Sequence, residues 1–426
     1  MMIIEEDIQQ IIEDYSDILY QKIKLNESLD LLITEIINKL RNHYEIQDTT
    51  LFQNSQLYYI HKIVHFKIQT MKEQLLLRFH HKQTIQSKIE TLKNLKLPDQ
   101  RTPEWYEMRD KMLTSSSLAD AIGKGHFKTR DDLLIEKTSK EKKPRFSSWI
   151  IEWGVRYEPV ATTFYEKLNN LKVLEFGLVP HPELKIFGAS PDGICDIDSP
   201  EDYIGRMLEI KCPPKREFTK EVPKHYWMQM QGQLETCDLE ECDFLQVKLL
   251  EYETEEKYIE DQFFDGDILK EGISSNGLPK GLVISFVSVN DTLEETYHYE
   301  YSEFYQSFEQ LKIWSDKIIK EYTFNYSSIC FHWWKIERYE CTLVGRDRQW
   351  WINIVPEILN FWEDVEYYRK EGNQLLIDKK ENRKKKRKIN KEKKEKKENK
   401  KNIITINQEI NQTIESSYLL ESDSED

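Results

Sequence analysis

Residues 207–213 read MLEIKCP. Three apolar residues in a short run closed by Pro213 are strand-like. Side chains alternate along a strand, so Glu209 and Lys211, two apart, project from the same face. A carboxylate and an ammonium on one cleft wall can serve a metal and a water together. The carboxylate binds a hard cation through oxygen, and the ammonium hydrogen-bonds the attacking water and stabilises negative charge on a phosphate. Upstream, GASPDG (188–193) carries Asp192 in a turn between two strand-like runs, Lys185–Ala189 and Met207–Ile210. Such a turn can bring Asp192 beside Glu209, and together they make a Mg²⁺ pair, since Mg²⁺ is held by one or two carboxylates and keeps several waters. Further upstream, WGVRYEP (153–159) places Glu158 on a helix, where it completes a second metal site suited to in-line displacement. Downstream, YWMQMQGQLE (226–235) supplies Gln229, Gln231 and Gln233.

Each segment alone is ordinary: an ExK strand is often a solvated ion pair, and PDG often only a turn. Their order and company carry the signal. A fifth segment agrees, WYEMRDKMLTSSSLADAIG (105–123), with Arg109 and the triplet Thr114-Ser115-Ser116 opening a helix. Taken together the five resemble the PD-(D/E)xK nucleases, and more closely the lambda-exonuclease/YqaJ family found in phages and large DNA viruses. The resemblance spans about Thr102 to Leu250 and fades toward residue 370. It implies an α/β (α+β) fold: a restriction-endonuclease-like core with a mixed central sheet flanked by helices, preceded here by an N-terminal helical module.

Carried over residue by residue, the resemblance implies that Asp192 and Glu209 ligate Mg²⁺ (or Mn²⁺ as a substitute) with help from the Ile210 backbone carbonyl and Glu158. Lys211 orients and activates the water, and Gln229 lines the site wall. Arg109 and Ser116 resemble the pair that grips a terminal 5′-phosphate. That role also has a local rationale, because a helix N-terminus favours an anion and arginine offers a bidentate contact. An ordinary serine cap is the plainer alternative. The triplet reads TSS where alanine commonly stands in the middle. The implied activity is a Mg²⁺-dependent 5′→3′ exonuclease on double-stranded DNA ends, in recombination, repair or replication of viral-type DNA. Partners would be DNA ends, a single-strand annealing or recombination protein, and a homo-oligomer. The competing readings are a structure-specific endonuclease on the same fold and a catalytically silent DNA-binding or particle-packaged protein. An iron–sulfur nuclease does not fit, because the cysteines are not clustered.

The 426 residues leave room for two or three domains. Residues 1–97 hold almost no Gly or Pro, and their apolar residues recur at helical spacing: Ile8, Ile11 and Ile12, then Leu32, Ile36 and Leu40, then Ile60, Val64 and Ile68. They form a helical accessory module that contacts a partner or DNA, or packs on its neighbour. Residues 98–372 alternate helical stretches with strand-like runs such as Leu171–Leu178 and Phe244–Leu250. They are the nuclease domain, closed by an amphipathic helix over Trp350–Tyr368. Residues 373–426 read as a disordered tail. Its segment Lys379–Lys401 has 15 basic and 4 acidic residues, a local charge of +11 against a formal net charge of −15. That run is a nuclear-localisation signal, a DNA tether or a solubilising tail. The acidic body does not exclude a DNA enzyme, because a metal nuclease needs carboxylates and a groove can be locally basic. Six cysteines without a CxxC pair are read as reduced thiols. No run approaches the ~20 apolar residues of a membrane span. The expected location is intracellular, in a nucleus, a viral replication site or a virion, and not secreted.

Overall fold

The computed structural model describes residues 5–47, 50–139, 148–289, 295–322 and 326–386. Most of the lysine-rich run and the acidic segment Glu421–Asp426 lie outside these residues. In chain order the elements begin with α1 (Glu5–Glu13), α2 (Ser16–Lys24), α3 (Asp30–His43), α4 (Leu51–Lys93), α5 (Pro103–Asp110) and β1 (Leu113–Thr114). After a 3₁₀ turn at Ser115–Ser117 come α6 (Leu118–Ala121), α7 (Arg130–Thr138), α8 (Trp149–Asn169), β2 (Val173–Leu174), β3 (Val179–Pro180), β4 (Phe187–Ala189), β5 (Gly193–Cys195) and β6 (Met207–Lys211). The chain continues through α9 (Lys224–Cys237), β7 (Glu241–Glu251), α10 (Glu255–Glu260), β8 (Phe263–Asp265), β9 (Ile268–Lys270), β10 (Lys280–Val289), β11 (Glu295–Tyr301), α11 (Phe308–Tyr322), β12 (Ser328–Gly345) and α12 (Arg348–Glu371).

Two compact units emerge. The first holds the described residues up to Lys96 together with Thr163–Glu175 and Gly193–Met207. Its core is built by α1 to α4 from the periodic residues of the sequence: Ile8, Ile12, Leu32, Ile36, Leu40, Ile60, Val64 and Ile68 are all buried in one cluster. Thr50 starts α4 by accepting a hydrogen bond from the Gln53 N–H (3.1 Å). The two additional segments lie inside the stretch 98–372, where spacing along the chain gives no sign of them. They belong to this unit through tertiary packing: Gly205 (φ +70°) is pressed on Ile85, and a Cβ there would lie 2.3 Å from the Ile85 side chain. The polar loop after β5 is a hairpin, with Cys195 N donating to Arg206 O (2.8 Å) and Gly205 N to Cys195 O (3.1 Å).

The second unit holds the described residues of Leu97–Thr162, Phe176–Asp192 and Leu208 onward. Within it strands stand in the order β11-β10-β12-β7-β6, with β1-β4-β3 as a separate small sheet. The β11–β10, β10–β12 and β12–β7 pairs are antiparallel and β1–β4 is parallel, so the architecture is mixed α/β with helices flanking the strands. The run expected at Leu171–Leu178 holds only the two-residue strand β2, and β3 starts just beyond it at Val179. The expected closing helix is α12, capped by the Asp347 carboxylate on the Trp350 N–H (2.9 Å). Its Trp351, Ile358, Phe361, Trp362 and Val365 pack into one cluster with Leu113, Leu118, Leu133, Phe187 and Met228. Order continues past residue 372: residues 374–386 are helical, Leu376 is buried in the same cluster, and Arg383 and Lys380 pair with Asp131 (2.9 Å) and Asp132 (2.8 Å) at the start of α7. Basic composition suggested a tail here, but one buried leucine and two acidic partners suffice to hold the segment. Among the described residues no helix is long and apolar enough to cross a membrane.

Phe361 is fully buried in this cluster. Phe361→Ala is expected to destabilise the domain by about 3–5 kcal/mol through lost burial and a residual cavity. Denaturant unfolding measures this, and a loss under 1 kcal/mol would show that the cluster is not a packed core.

Candidate active site

Strand β6 places Glu209 and Lys211 on one face, and the two side chains pair directly through Glu209 Oε1. Glu209 is fully buried. A buried carboxylate needs donors on both oxygens, and helix α9 supplies them. Gln229 Nε2 donates to Glu209 Oε1 (2.7 Å) and Gln233 Nε2 to Glu209 Oε2 (2.6 Å). The two glutamines are four apart and therefore share one helix face. Gln231 looks the other way, donating to Gly345 O (2.9 Å) and accepting from the Asp347 N–H (2.6 Å), which ties the end of β12 and the start of α12 to α9. The amide spacing i, i+4 distinguishes Gln233 from Gln231 in the sequence itself.

Asp192 Oδ2 accepts the Ile210 N–H (2.6 Å), so the SPDG turn does bring the carboxylate against β6, between Glu209 and Lys211. The turn is held from outside: Gln100 Nε2 donates to Phe176 O (2.9 Å) and Pro191 O (3.4 Å), Trp105 Nε1 to Ser190 Oγ (3.2 Å) and Gln233 Nε2 to Ser190 O (3.3 Å). Burial first, and the Glu209 charge second, push the Asp192 carboxyl well above the usual carboxylate range, against the pull of Lys211 and the Ile210 N–H. Burial works to discharge Lys211, but Glu209 and Asp192 outweigh it and hold the ammonium above its ordinary value. Lys211 is therefore held as a protonated hydrogen-bond donor near neutrality.

Glu158 accepts from Arg101 Nη2 (3.0 Å), and its charge reaches Asp192. Among the described residues no three His, Cys, Asp or Glu side chains group as a metal cage. The oxygen donors gathered here are two carboxylates and a carbonyl: Asp192, Glu209 and Ile210 O. The Lys211 ammonium already bonds to Glu209 Oε1 and to Ile210 O (3.0 Å), so positive charge is accommodated at these oxygens. Two crowded carboxylates with a raised Asp192 fit a hard divalent ion that keeps most of its waters.

Arg109, at the end of α5, donates to Ser116 Oγ (3.2 Å), and its guanidinium lies over the Trp105 ring (4.4 Å to the centroid). Thr114 and Ser116 hydroxyls are 3.2 Å apart. The residue pair named from the sequence thus forms one contact. The helix expected at Ser116 is only a three-residue 3₁₀ turn running into the four-residue α6, so little dipole is available and the pair relies on its guanidinium and hydroxyl. Lys137, which no motif pointed to, donates to Arg109 O (2.6 Å) and Met112 O (2.8 Å) and so fixes the connection between them. Burial, then the Arg109 charge, lower its ammonium to about 8. Arg101 was likewise silent in the sequence, being an isolated residue whose partner is 57 positions away.

Residues 104–240 match the family model of the YqaJ-like viral recombinase domain. An uncharacterized protein of Acanthamoeba polyphaga mimivirus is 25% identical over 314 residues, covering 68% of this chain and 56% of that protein. The chain thus spans little more than half the length of that relative. Among solved structures, the alkaline exonuclease LHK-Exo from Laribacter hongkongensis is 20% identical with a TM-score of 0.37, covering 65% of this chain and 99% of that one. A phage related exonuclease from Haemophilus somnus is 12% identical with a TM-score of 0.32, covering 63% and 96% respectively. Arg109, Ser116, Glu158, Asp192, Glu209, Lys211 and Gln229 all fall inside residues 104–240, the segment that is similar to the YqaJ-like viral recombinase domain.

Proposed function

We propose that this chain is a Mg²⁺-dependent DNA exonuclease that hydrolyses phosphodiester bonds from the 5′ ends of double-stranded DNA during recombination, repair or replication of viral-type DNA. The observation that carries the reading is the convergence of Asp192, Glu209 and Lys211 on one end of β6, in a segment that matches the YqaJ-like family model. Asp192, Glu209 and the Ile210 carbonyl would hold Mg²⁺ (or Mn²⁺), with Glu158 assisting. The ion would supply charge neutralisation and a more acidic bound water. The chain's own residues do the rest. Lys211 donates to the attacking water and to the phosphate, and Gln229 and Gln233 keep the Glu209 carboxylate oriented without neutralising it. The strand freed by resection would pass to a single-strand annealing or recombination partner, and a homo-oligomer would keep the enzyme on its duplex.

The Arg109–Ser116 contact supports an enzyme that starts at an end. A terminal phosphate monoester carries more charge than an internal diester, and charge-assisted hydrogen bonds of this kind are worth roughly 1.5–3 kcal/mol, or about tenfold to a hundredfold in rate. With Mg²⁺ present, 5′-phosphorylated linear duplex is expected to be degraded faster than 5′-hydroxyl duplex by that factor, and closed circles to resist. Arg109→Ala should remove most of the preference. Gel analysis of the three end-labelled or circular substrates checks this. Equal rates on both ends, or ready cutting of closed circles, would move the protein to the structure-specific endonuclease reading.

A further inference from the structure

Away from the Glu209 cluster, a second polar network joins α8 to three adjacent strands. Glu251, at the end of β7, accepts at Oε1 from the Tyr157 hydroxyl (2.5 Å) and from Arg156 Nη1 (2.8 Å), and lies 3.4 Å from His332 Nδ1 on β12. His332 Nε2 is 2.8 Å from Ser285 Oγ on β10. This hydroxyl–imidazole–carboxylate line has the order of a nucleophilic triad, which is recognised by geometry and role. Ser285, however, is only 2% exposed and Tyr157 is fully buried, so no substrate reaches the hydroxyl. The network is a brace, and what it braces is the helix residues immediately before Glu158.

That stretch of α8 is weak by its own chemistry. Pro159 has no N–H, so the Val155 carbonyl loses its usual helical donor. Gly154 adds backbone freedom in the helix interior. Packing does not require glycine there, since an added Cβ would meet nothing within 4 Å. Glu158 therefore sits in a six-residue segment, 154–159, whose helical geometry needs outside support. Glu251 grips the two residues preceding Glu158 at once, and Arg156 is further seated over the Tyr299 ring of β11 (5.8 Å).

We propose that Glu251 is a positioning residue: by holding Arg156 and Tyr157 to the sheet, it fixes the weak turn of α8 that presents Glu158 to the Asp192–Glu209 cleft. The inference rests on the metal-assisting role proposed above for Glu158. The mechanism is orientation rather than contact, and small misplacements of a reacting group are costly in rate.

The test uses the full-length protein with Glu251→Gln and Glu251→Ala, measuring kcat and KM on 5′-phosphorylated linear duplex in saturating Mg²⁺, thermal melting, and amide hydrogen exchange across residues 150–158 without metal. We expect kcat to fall about tenfold in the glutamine variant with KM nearly unchanged, and the amides of that segment to exchange faster. Gly154→Ala, close to silent alone, should stiffen the segment and recover several-fold of the loss in the Glu251→Gln background. Unchanged exchange and kcat in Glu251→Gln, or a loss that tracks melting temperature and is not rescued by Gly154→Ala, overturns the proposal. Glu158→Gln separates the two levels. Full activity there removes the role of Glu158 and this inference with it, whereas an impaired Glu158→Gln beside unaffected Glu251 variants removes only the positioning.

Discussion

Lys211→Ala is expected to slow DNA hydrolysis by about 10²–10³-fold, the usual loss when one preorganised donor to a developing anion is removed. The chain places this ammonium between Glu209 and the Ile210 carbonyl and holds it charged, so in the proposed mechanism it would supply a fixed positive charge where the phosphate becomes most negative. Glu209→Gln should lose at least as much. It keeps the side-chain shape but removes the charge that holds Lys211 and one of the two acceptor oxygens that Gln229 and Gln233 address separately from α9. Glutamine is the better probe here than alanine, because alanine would leave three donors facing a buried void. Nuclease assays paired with circular dichroism and melting check both variants. Activity within threefold of wild type in either, with the fold intact, would sink the site assignment. Because Lys211 remains protonated near neutrality, the rate should also show no titration of this group between pH 6 and about 9.

Removal of divalent ions should stop turnover altogether. EDTA is expected to abolish it, Mg²⁺ or Mn²⁺ to restore it, and Ca²⁺ to bind without supporting comparable rates, its looser coordination being poorly matched to in-line chemistry. Stability offers a readout independent of activity. The Asp192 carboxyl is raised in the fold, so its contribution to stability is present below the unfolded value of about 3.9 and is lost as pH rises through the raised one. Once pH has risen through that raised value, the ionised group costs stability when no cation is present. Asp192→Asn should therefore melt no lower than wild type in EDTA, and should lose both activity and the rise in melting temperature that Mg²⁺ confers on wild type. Turnover that survives chelation, or a Mg²⁺-dependent melting shift retained in Asp192→Asn, would falsify the metal role of this carboxylate.

Much of the architecture is local in origin and could be read along the chain. The apolar period of Ile8 to Ile68 is the buried face of the helical unit, because a 3.6-residue repeat has only one way to hide its apolar stripe. The alternation in MLEIK put Glu209 and Lys211 together for the same geometric reason, and the short SPDG turn after β4 carried Asp192 to the Ile210 N–H. What tertiary structure decided has partners far apart in the chain. Arg101 on Glu158, Lys137 beneath Arg109, and Glu251 on Arg156 and Tyr157 join residues 28 to 95 positions apart. No period or spacing encodes such pairs. Residues 374–386 make the same point from the other side. Their composition is that of a solvated tail, yet Leu376 finds the α12 core and Arg383 finds Asp131, 252 positions away. Sequence alone singled out the candidate side chains, because alternation and turn geometry act over a few residues. Only the folded chain decided what holds those side chains still, because burial and charge pairing depend on proximity in space, which the order of residues does not record.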